Sequence, residues 1–379
     1  MLVNFLEIKE GSIQTTETHI NEAEYTFNNR VGFYKWVQSF CQPISFIANN
    51  SDICVLIFSD SLDIVLSIIN KEFNVLKRYK KIILFQEEQD FICCSLDKFN
   101  NLKNEFHNNL NENGIEAVYF DFKYRSEYDL GIKRYYHLGT INYLFELNFN
   151  YLDRYEYNRP KSKYFFSGNA AERAPRFHLQ KFLVENDLLD KNEVSFFIYN
   201  EKQIIEYGPN VEGYGEFDKM DGFTFRKIQF QPTENLSEYT RLLDFDNSPN
   251  AVSEISIETL SKSYGDYVVQ FSEKSLKPFF YKRPFMLFGY KENLECLREL
   301  GFKTFDFIFD ERYSTTDGQQ NRLNYIMKNA KEFCERSIED NLAIINKHFD
   351  IYNYNLEVLK NFIVTNKENL RYEIISYRG

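Results

Sequence analysis

Short apolar runs alternate along the chain with polar stretches of helical period. Residues 54–58 (CVLIF) lead into Ser59-Asp60-Ser61, small polar residues of the kind that cap helices, and then into LDIVLSIINKEF, apolar at every third or fourth place. This reads as strand, turn and helix. Residues 81–85 (KIILF) form the next run and end in Gln86-Glu87-Glu88. Residues 96–114 (LDKFNNLKNEFHNNLNENG) have helical spacing, stop at Gly114 and lead into AVYF at 117–120. Strands alternating with helices predict an open α/β sheet, mostly parallel. Ligands of such sheets bind beyond the carboxyl ends of the strands, which draws attention to Asp60, Glu87, Glu88 and Asp121.

The aromatic, weakly periodic segment 138–155 is followed by the polar NRPKSK at 158–163, which marks a domain boundary. A second series of the same kind then begins. Strands are expected at 164–167, 194–198, 267–271, 284–288 and 303–305, with a helix over 174–189. Residues 201–250, rich in Gly, Asp, Asn and Pro, read as an irregular insertion. From Gln319 the pattern is helical to about Lys347, and it is helical again over 356–370. The expected organisation is one α/β domain over 1–157, a second over 158–330, and a helical tail over 331–379 that packs back on either domain.

Length agrees with this division, since 379 residues fit two domains of common size, and 43% hydrophobic residues, with 38 Phe and 27 Tyr, supply two cores. The formal net charge of −11 gives no global attraction to phosphate backbones or anionic lipid, so any nucleic-acid contact needs a local basic patch. No segment approaches the roughly 18 consecutive apolar residues of a membrane span, and the N-terminal MLVNFLEIKEGS meets acidic residues before a signal h-region forms. A soluble, cytoplasmic protein without a membrane span is expected. Six cysteines lack a CxxC pair and five histidines lack HxH or HExxH, so the spacing signals of a disulfide framework or a zinc site are missing. The chain also lacks the GxGxxG, GxxxxGK[ST] and GxSxG signatures of dinucleotide, P-loop and hydrolase sites.

The chemistry concentrates in FSEKSLKPFFYKRPFMLFG, residues 271–289, where Glu273, Lys274, Lys277, Lys282 and Arg283 precede the apolar run 285–288. A helix over 273–281 starts with free backbone N–H groups, and Pro278 kinks or shortens it. Those donors, with Lys274 and Lys277, suit an anion such as a diphosphate, while Glu273 accepts from a ribose or sugar hydroxyl. The plainer reading is a surface helix whose Glu273 and Lys277 form an i,i+4 pair worth about 0.3–0.5 kcal/mol. Asp244-Phe245-Asp246 is a DxD, two hard oxygen ligands able to hold Mg²⁺ or Mn²⁺ against a diphosphate. With 56 acidic residues, however, one such tripeptide is expected by chance. Asp306, Asp310 and Glu311 read as loop or cap residues, and His178 as a packed helix residue.

SEKSLKPFFYKRPFMLFG with LRELGFKTF at 297–305 resembles segments of viral and bacterial proteins classed as glycosyltransferases. The Glu-Lys helix is also similar to the donor-binding motif of the α1,3-fucosyltransferases. Val252-Ser253-Glu254 and KYFFSGNAAERAPRFH at 163–178 fit the same pattern, and Ser272 stands where threonine is usual. The likeness covers residues 163–322. It implies a GT-B architecture of two facing Rossmann-like domains with a helical C-terminal tail. It also implies that Arg173, Arg176, Glu254, Ser272, Glu273, Lys274 and Lys277 surround a nucleotide-sugar donor, the co-substrate, with no metal required where Arg and Lys neutralise the phosphates.

The expected function is therefore transfer of a sugar from a nucleotide-sugar to a hydroxyl acceptor, either a glycan or, in a phage, hydroxymethylated pyrimidine in DNA. A viral chain of this kind works in the host cytoplasm. Asp60 is the first candidate for the base that deprotonates the acceptor, because it follows the clearest strand, and Glu87 and Glu88 are the alternatives. The rival expectation is a non-catalytic nucleotide-sugar or carbohydrate-binding protein of the same fold.

Overall fold

The computed structural model describes residues 4–9, 11–15, 52–58, 62–86, 95–121, 123–125, 128–137, 149, 160–169, 174–196, 250–258 and 269–375. The chain is mixed α/β and divides into two compact units. One holds residues 1–149, 263–270 and 361–379, the other 150–262 and 271–360.

The first unit carries β1 (Asn4–Lys9), β2 (Ser12–Thr15), β3 (Ile53–Phe58), β4 (Lys81–Gln86), β5 (Glu116–Asp121), β6 (Lys123–Arg125) and β7 (Lys133–Tyr136). Its main sheet runs β2-β1-β3-β4-β5-β7, parallel throughout except for the antiparallel edge strand β2. Every residue of β3 and β4 is buried, which is why these strands read as unbroken apolar runs rather than alternating ones. Helices α1 (Leu62–Lys71), α2 (Phe73–Leu76) and α3 (Leu96–Asn113) follow β3 and β4. The apolar stripe of α1, with Val65, Leu66 and Ile69, packs with Phe99 and Phe106 of α3 and with Leu56, Leu84 and Tyr119 of the sheet in one core. Ser95 caps α3 by accepting from the Lys98 N–H, and Gly114 ends it at φ 63°, a left-handed conformation that glycine adopts without a Cβ penalty.

The second unit carries β8 (Lys163–Asn169), α4 (Ala174–Glu185), β9 (Glu193–Phe196), β10 (Ala251–Ile257), α5 (Glu273–Phe280), β12 (Phe285–Phe288) and α6 (Asn293–Glu299); β11 (Val269–Gln270), just before α5 in the chain, falls in the first unit. Four of these strands form a parallel sheet in the order β12-β10-β8-β9. Two expected strands do not join it. Of the strand expected at 267–271, the described residues hold β11, which pairs antiparallel with β6 in the first unit, and 267–268 lie outside the described residues. Residues 303–305 form no strand, because side chains satisfy their backbone: Asn355 bonds both the N–H and the C=O of Lys303 at 2.8 Å, and Glu311 accepts from the Phe305 N–H at 2.6 Å.

The C-terminal helices are α7 (Gln319–Glu335), α8 (Ile338–Asn346) and α9 (Phe349–Ile375). Ser337 breaks the first two apart by capping α8, its Oγ accepting from the Asp340 N–H at 3.0 Å. The residues of the expected tail over 331–379 divide between the two units, those up to 360 in the second and the rest in the first. In the first unit Glu373 accepts from Lys81, Lys133 and Tyr135, each at 2.6 Å. Among the described residues no helix is long and apolar enough to cross a membrane.

Candidate functional site

Strand order in the second unit locates a crevice. From β8 the chain passes through α4 to β9 on one side, and β10 and β12 then lie on the other side of β8. The order reverses between β8 and β10, and ligands of open α/β sheets bind beyond the carboxyl ends of strands at such a switch point. Asn169 ends β8 and Ile257 ends β10.

One face of β10 is polar, against the rule for a central parallel strand. Glu254, Ser256 and Glu258 alternate along it and are all buried. Each matches a polar demand. Pro278 lies inside α5 and has no N–H to offer the carbonyl of Lys274, four residues back, so Ser256 Oγ donates to that carbonyl at 2.8 Å. Ser256 Oγ also lies 3.2 Å from Glu254 Oε1. Glu258 receives the Ser272 N–H at 3.0 Å, the Ser272 hydroxyl at 2.5 Å and the Ser275 hydroxyl. The opposite side of α5 is aromatic: Phe279 stacks on Phe302 with centroids 4.3 Å apart and meets Phe285 edge-on.

Glu258 stands at the start of α5, where the sequence pointed to a diphosphate. Ser272 does cap α5, its Oγ accepting from the Lys274 N–H at 3.1 Å, but the Ser272 N–H is bonded to Glu258 and the Ser275 N–H to the Ser272 carbonyl. The start of the helix thus faces an internal carboxylate, which complements its positive end as a ligand anion would. The signal in the sequence was the continued alternation Glu254, Ser256, Glu258, which puts a second acid on the face that α5 covers.

Two cations of the expected set are buried against the second sheet. Arg176, in the first turn of α4, is fully buried, and its Nη2 donates to the Ile257 carbonyl at 3.1 Å, at the carboxyl end of β10. Lys277, one turn into α5, is 7% exposed, and its ammonium lies 4.6 Å from the ring centroid of Phe166 in β8. Among the described residues no carboxylate lies within ion-pair distance of Lys277. Phe166 is the registered partner of Glu254, so the two point to the same face of the sheet as Lys277. Lys274 is half-buried beside them, and Glu273 is the first residue of α5. Arg173 lies outside the described residues.

The expected catalytic acids Asp60, Glu87 and Glu88 also lie outside the described residues, as does Asp244-Phe245-Asp246. Asp121, at the end of β5, is buried and engaged: it pairs with Arg134 Nη2 at 2.8 Å and lies 3.1 Å from the Tyr119 hydroxyl, which lies 2.7 Å from Gln86 Oε1. His137 beside it is buried against Phe85, and burial lowers its pKa to about 3, so the ring is neutral. Glu311 is a structural acceptor for Thr304, Phe305 and Arg298; burial raises its pKa against those bonds. Asp310 caps the following turn and is held low by Arg312. Asp306 is exposed, and His178 is buried in α4. Among the described residues no group of three or more His, Cys, Asp or Glu side chains is placed to hold a metal ion.

The carboxyl end of β12 adds a residue that the pattern did not single out. The Glu258 N–H donates to the Phe288 carbonyl at 2.9 Å, bringing Gly289 beside the α5 start. A Cβ on Gly289 would stand 1.9 Å from Asn293 Nδ2 and 3.0 Å from its Cγ. Only glycine leaves room for that carboxamide. Gly289→Ala is therefore expected to lower stability by about 1–3 kcal/mol in urea unfolding, and Asn293→Ala in the same chain to restore most of the loss. No family model, curated protein or solved structure matches this chain.

Proposed function

We propose that the protein is a glycosyltransferase that moves a sugar from a nucleotide-sugar to a hydroxyl acceptor, with the donor diphosphate held at the β8/β10 switch point by Arg176, Lys277 and Lys274. The architecture on this reading is of the GT-B type, with the second unit binding the donor and the first the acceptor. The observation that carries the proposal is Lys277. An ammonium withdrawn from water without a counter-charge costs several kcal/mol, of which a cation–π contact to Phe166 returns about 0.5–2. A diphosphate brings the missing charge and accepts the bonds that Lys277 has to give.

In the reaction a carboxylate of the first unit takes the acceptor proton, the acceptor oxygen bonds to the anomeric carbon, and the bond from that carbon to the diphosphate breaks. The nucleoside diphosphate departs with the electron pair, its new charge stabilised by the cations already in place. Asp60, Glu87 and Glu88 remain the candidates for the base. Asp121 is the weaker choice, because Arg134 and Tyr119 already occupy its oxygens.

A thermal-shift panel of UDP-, GDP-, ADP- and CMP-sugars tests the proposal. One nucleotide family is expected to raise the melting temperature and to be slowly hydrolysed or transferred; a shift without turnover identifies a binding protein, and no shift with any donor ends the reading. Binding to hydroxymethylated DNA that falls steeply with salt would mark a nucleic-acid acceptor.

A further inference from the structure

We infer that the Asn293 carboxamide reads the hydrogen-bonding edge of the donor's nucleobase, an inference that rests on the donor site proposed above. Asn293 is 2% exposed, and neither its Nδ2 nor its Oδ1 has a hydrogen-bond partner. Buried polar groups are otherwise satisfied in native proteins, and a buried amide left unpaired carries its full desolvation cost. Two unmade bonds on one side chain, at the carboxyl end of a parallel strand, mark a place kept for a ligand.

The chemistry of the missing partner follows from the side chain. A carboxamide sets a donor beside an acceptor. Phosphate oxygens would satisfy only the Nδ2 side, and a cation only the Oδ1 side. An edge that carries its own acceptor and donor in a row satisfies both, and nucleobases present such edges. Residues 290–292, which precede Asn293, are part-exposed.

Distance agrees with this assignment. Arg176 bonds the end of β10, the Glu258 N–H bonds the end of β12, and Asn293 follows one turn later. From Phe166, which carries Lys277, to the carboxyl end of β12 is two inter-strand steps, about 9.5 Å, across the sheet and three residues, about 10 Å, along it, or about 14 Å in all. A nucleotide lying along the strand ends with its diphosphate over β8 and β10 brings its base to β12. The absence of a side chain at Gly289 lets the carboxamide lie against the strand end.

The test uses the full chain and four nucleotides, UDP, GDP, ADP and CMP, with inorganic pyrophosphate as a probe that has no base. Wild type is expected to prefer one base and to bind pyrophosphate. Asn293→Leu should weaken the preferred nucleotide about tenfold or more, down to the level of the others, and leave pyrophosphate affinity unchanged. Asn293→Asp, which keeps the shape but replaces the donor, should lose the same preference and covers the case in which leucine does not fit. Lys277→Met should instead weaken pyrophosphate and all four nucleotides together. Folded Asn293 variants with the wild-type base preference overturn the inference and leave the donor site standing. A wild type that binds neither pyrophosphate nor any nucleotide overturns both.

Discussion

Replacing Glu373 by alanine is expected to destabilise the first unit by about 3–5 kcal/mol, the range for removing one partner of a buried ion pair. The carboxylate is 1% exposed and is reached by Lys81, Lys133 and Tyr135, each at 2.6 Å. Without it Lys81, 3% exposed, loses the nearer of its two carboxylates and keeps Glu116 at 3.0 Å, which is half in water. Lys133 is itself half-exposed and regains hydration, so most of the loss falls on Lys81. Urea unfolding followed by circular dichroism measures the change, and a loss below about 1 kcal/mol would show that the network is not what secures the end of α9.

The pH dependence has a definite sign. Burial alone would push the Glu373 carboxyl up, but hydrogen bonds from Lys133, Lys81 and Tyr135 outweigh it and hold the group below its ordinary value. Such a carboxyl stabilises the fold fully above its unfolded pKa, near 4.3, and that contribution is lost as pH falls through the folded value. Lys133 behaves oppositely. Bonds to Glu373 and Tyr135 hold its ammonium above the usual lysine value, so its contribution is present below that value and fades as pH rises through the folded one. Glu373→Gln should flatten the acid limb of the stability profile.

Lys277→Met has the largest expected effect on activity. Methionine matches the lysine stem in length, keeps contact with Phe166 and removes a buried charge that has no carboxylate partner among the described residues, so the melting temperature should hold or rise. Donor binding and turnover should fall about ten- to a hundredfold, the worth of one or two charge-assisted bonds to phosphate. The paired outcome is what separates the readings. A packing role predicts a lower melting temperature with turnover lost only through unfolding, whereas a stable variant with unchanged turnover removes α5 from the mechanism.

Much of the first unit was legible because β3 and β4 are buried on both faces and so appear as plain apolar runs bounded by helix caps. Gly114 and Ser272 were likewise readable, since a left-handed helix end and an N-cap are local matters. The central strand of the second sheet was not. AVSEISI has no apolar run, and its polar face makes sense only once Pro278 has freed the Lys274 carbonyl and Ser272 and Ser275 have met Glu258. KTF at 303–305 failed in the opposite way: it has strand-like residues, but Asn355 and Glu311 take its backbone bonds.

The amino-acid order alone determined which stretches hide a face from water and where several helices begin. Periodicity and caps act over a few residues, so they survive in the linear pattern. Tertiary structure decided which of those stretches became neighbours: the reversal between β8 and β10, the carboxylate set against the α5 start, the unpaired amide behind Gly289, and the division of α9 between two units. Each depends on strand order and on partners many residues apart, and long-range pairing of this kind is fixed by the packing of whole elements rather than by the residues on either side.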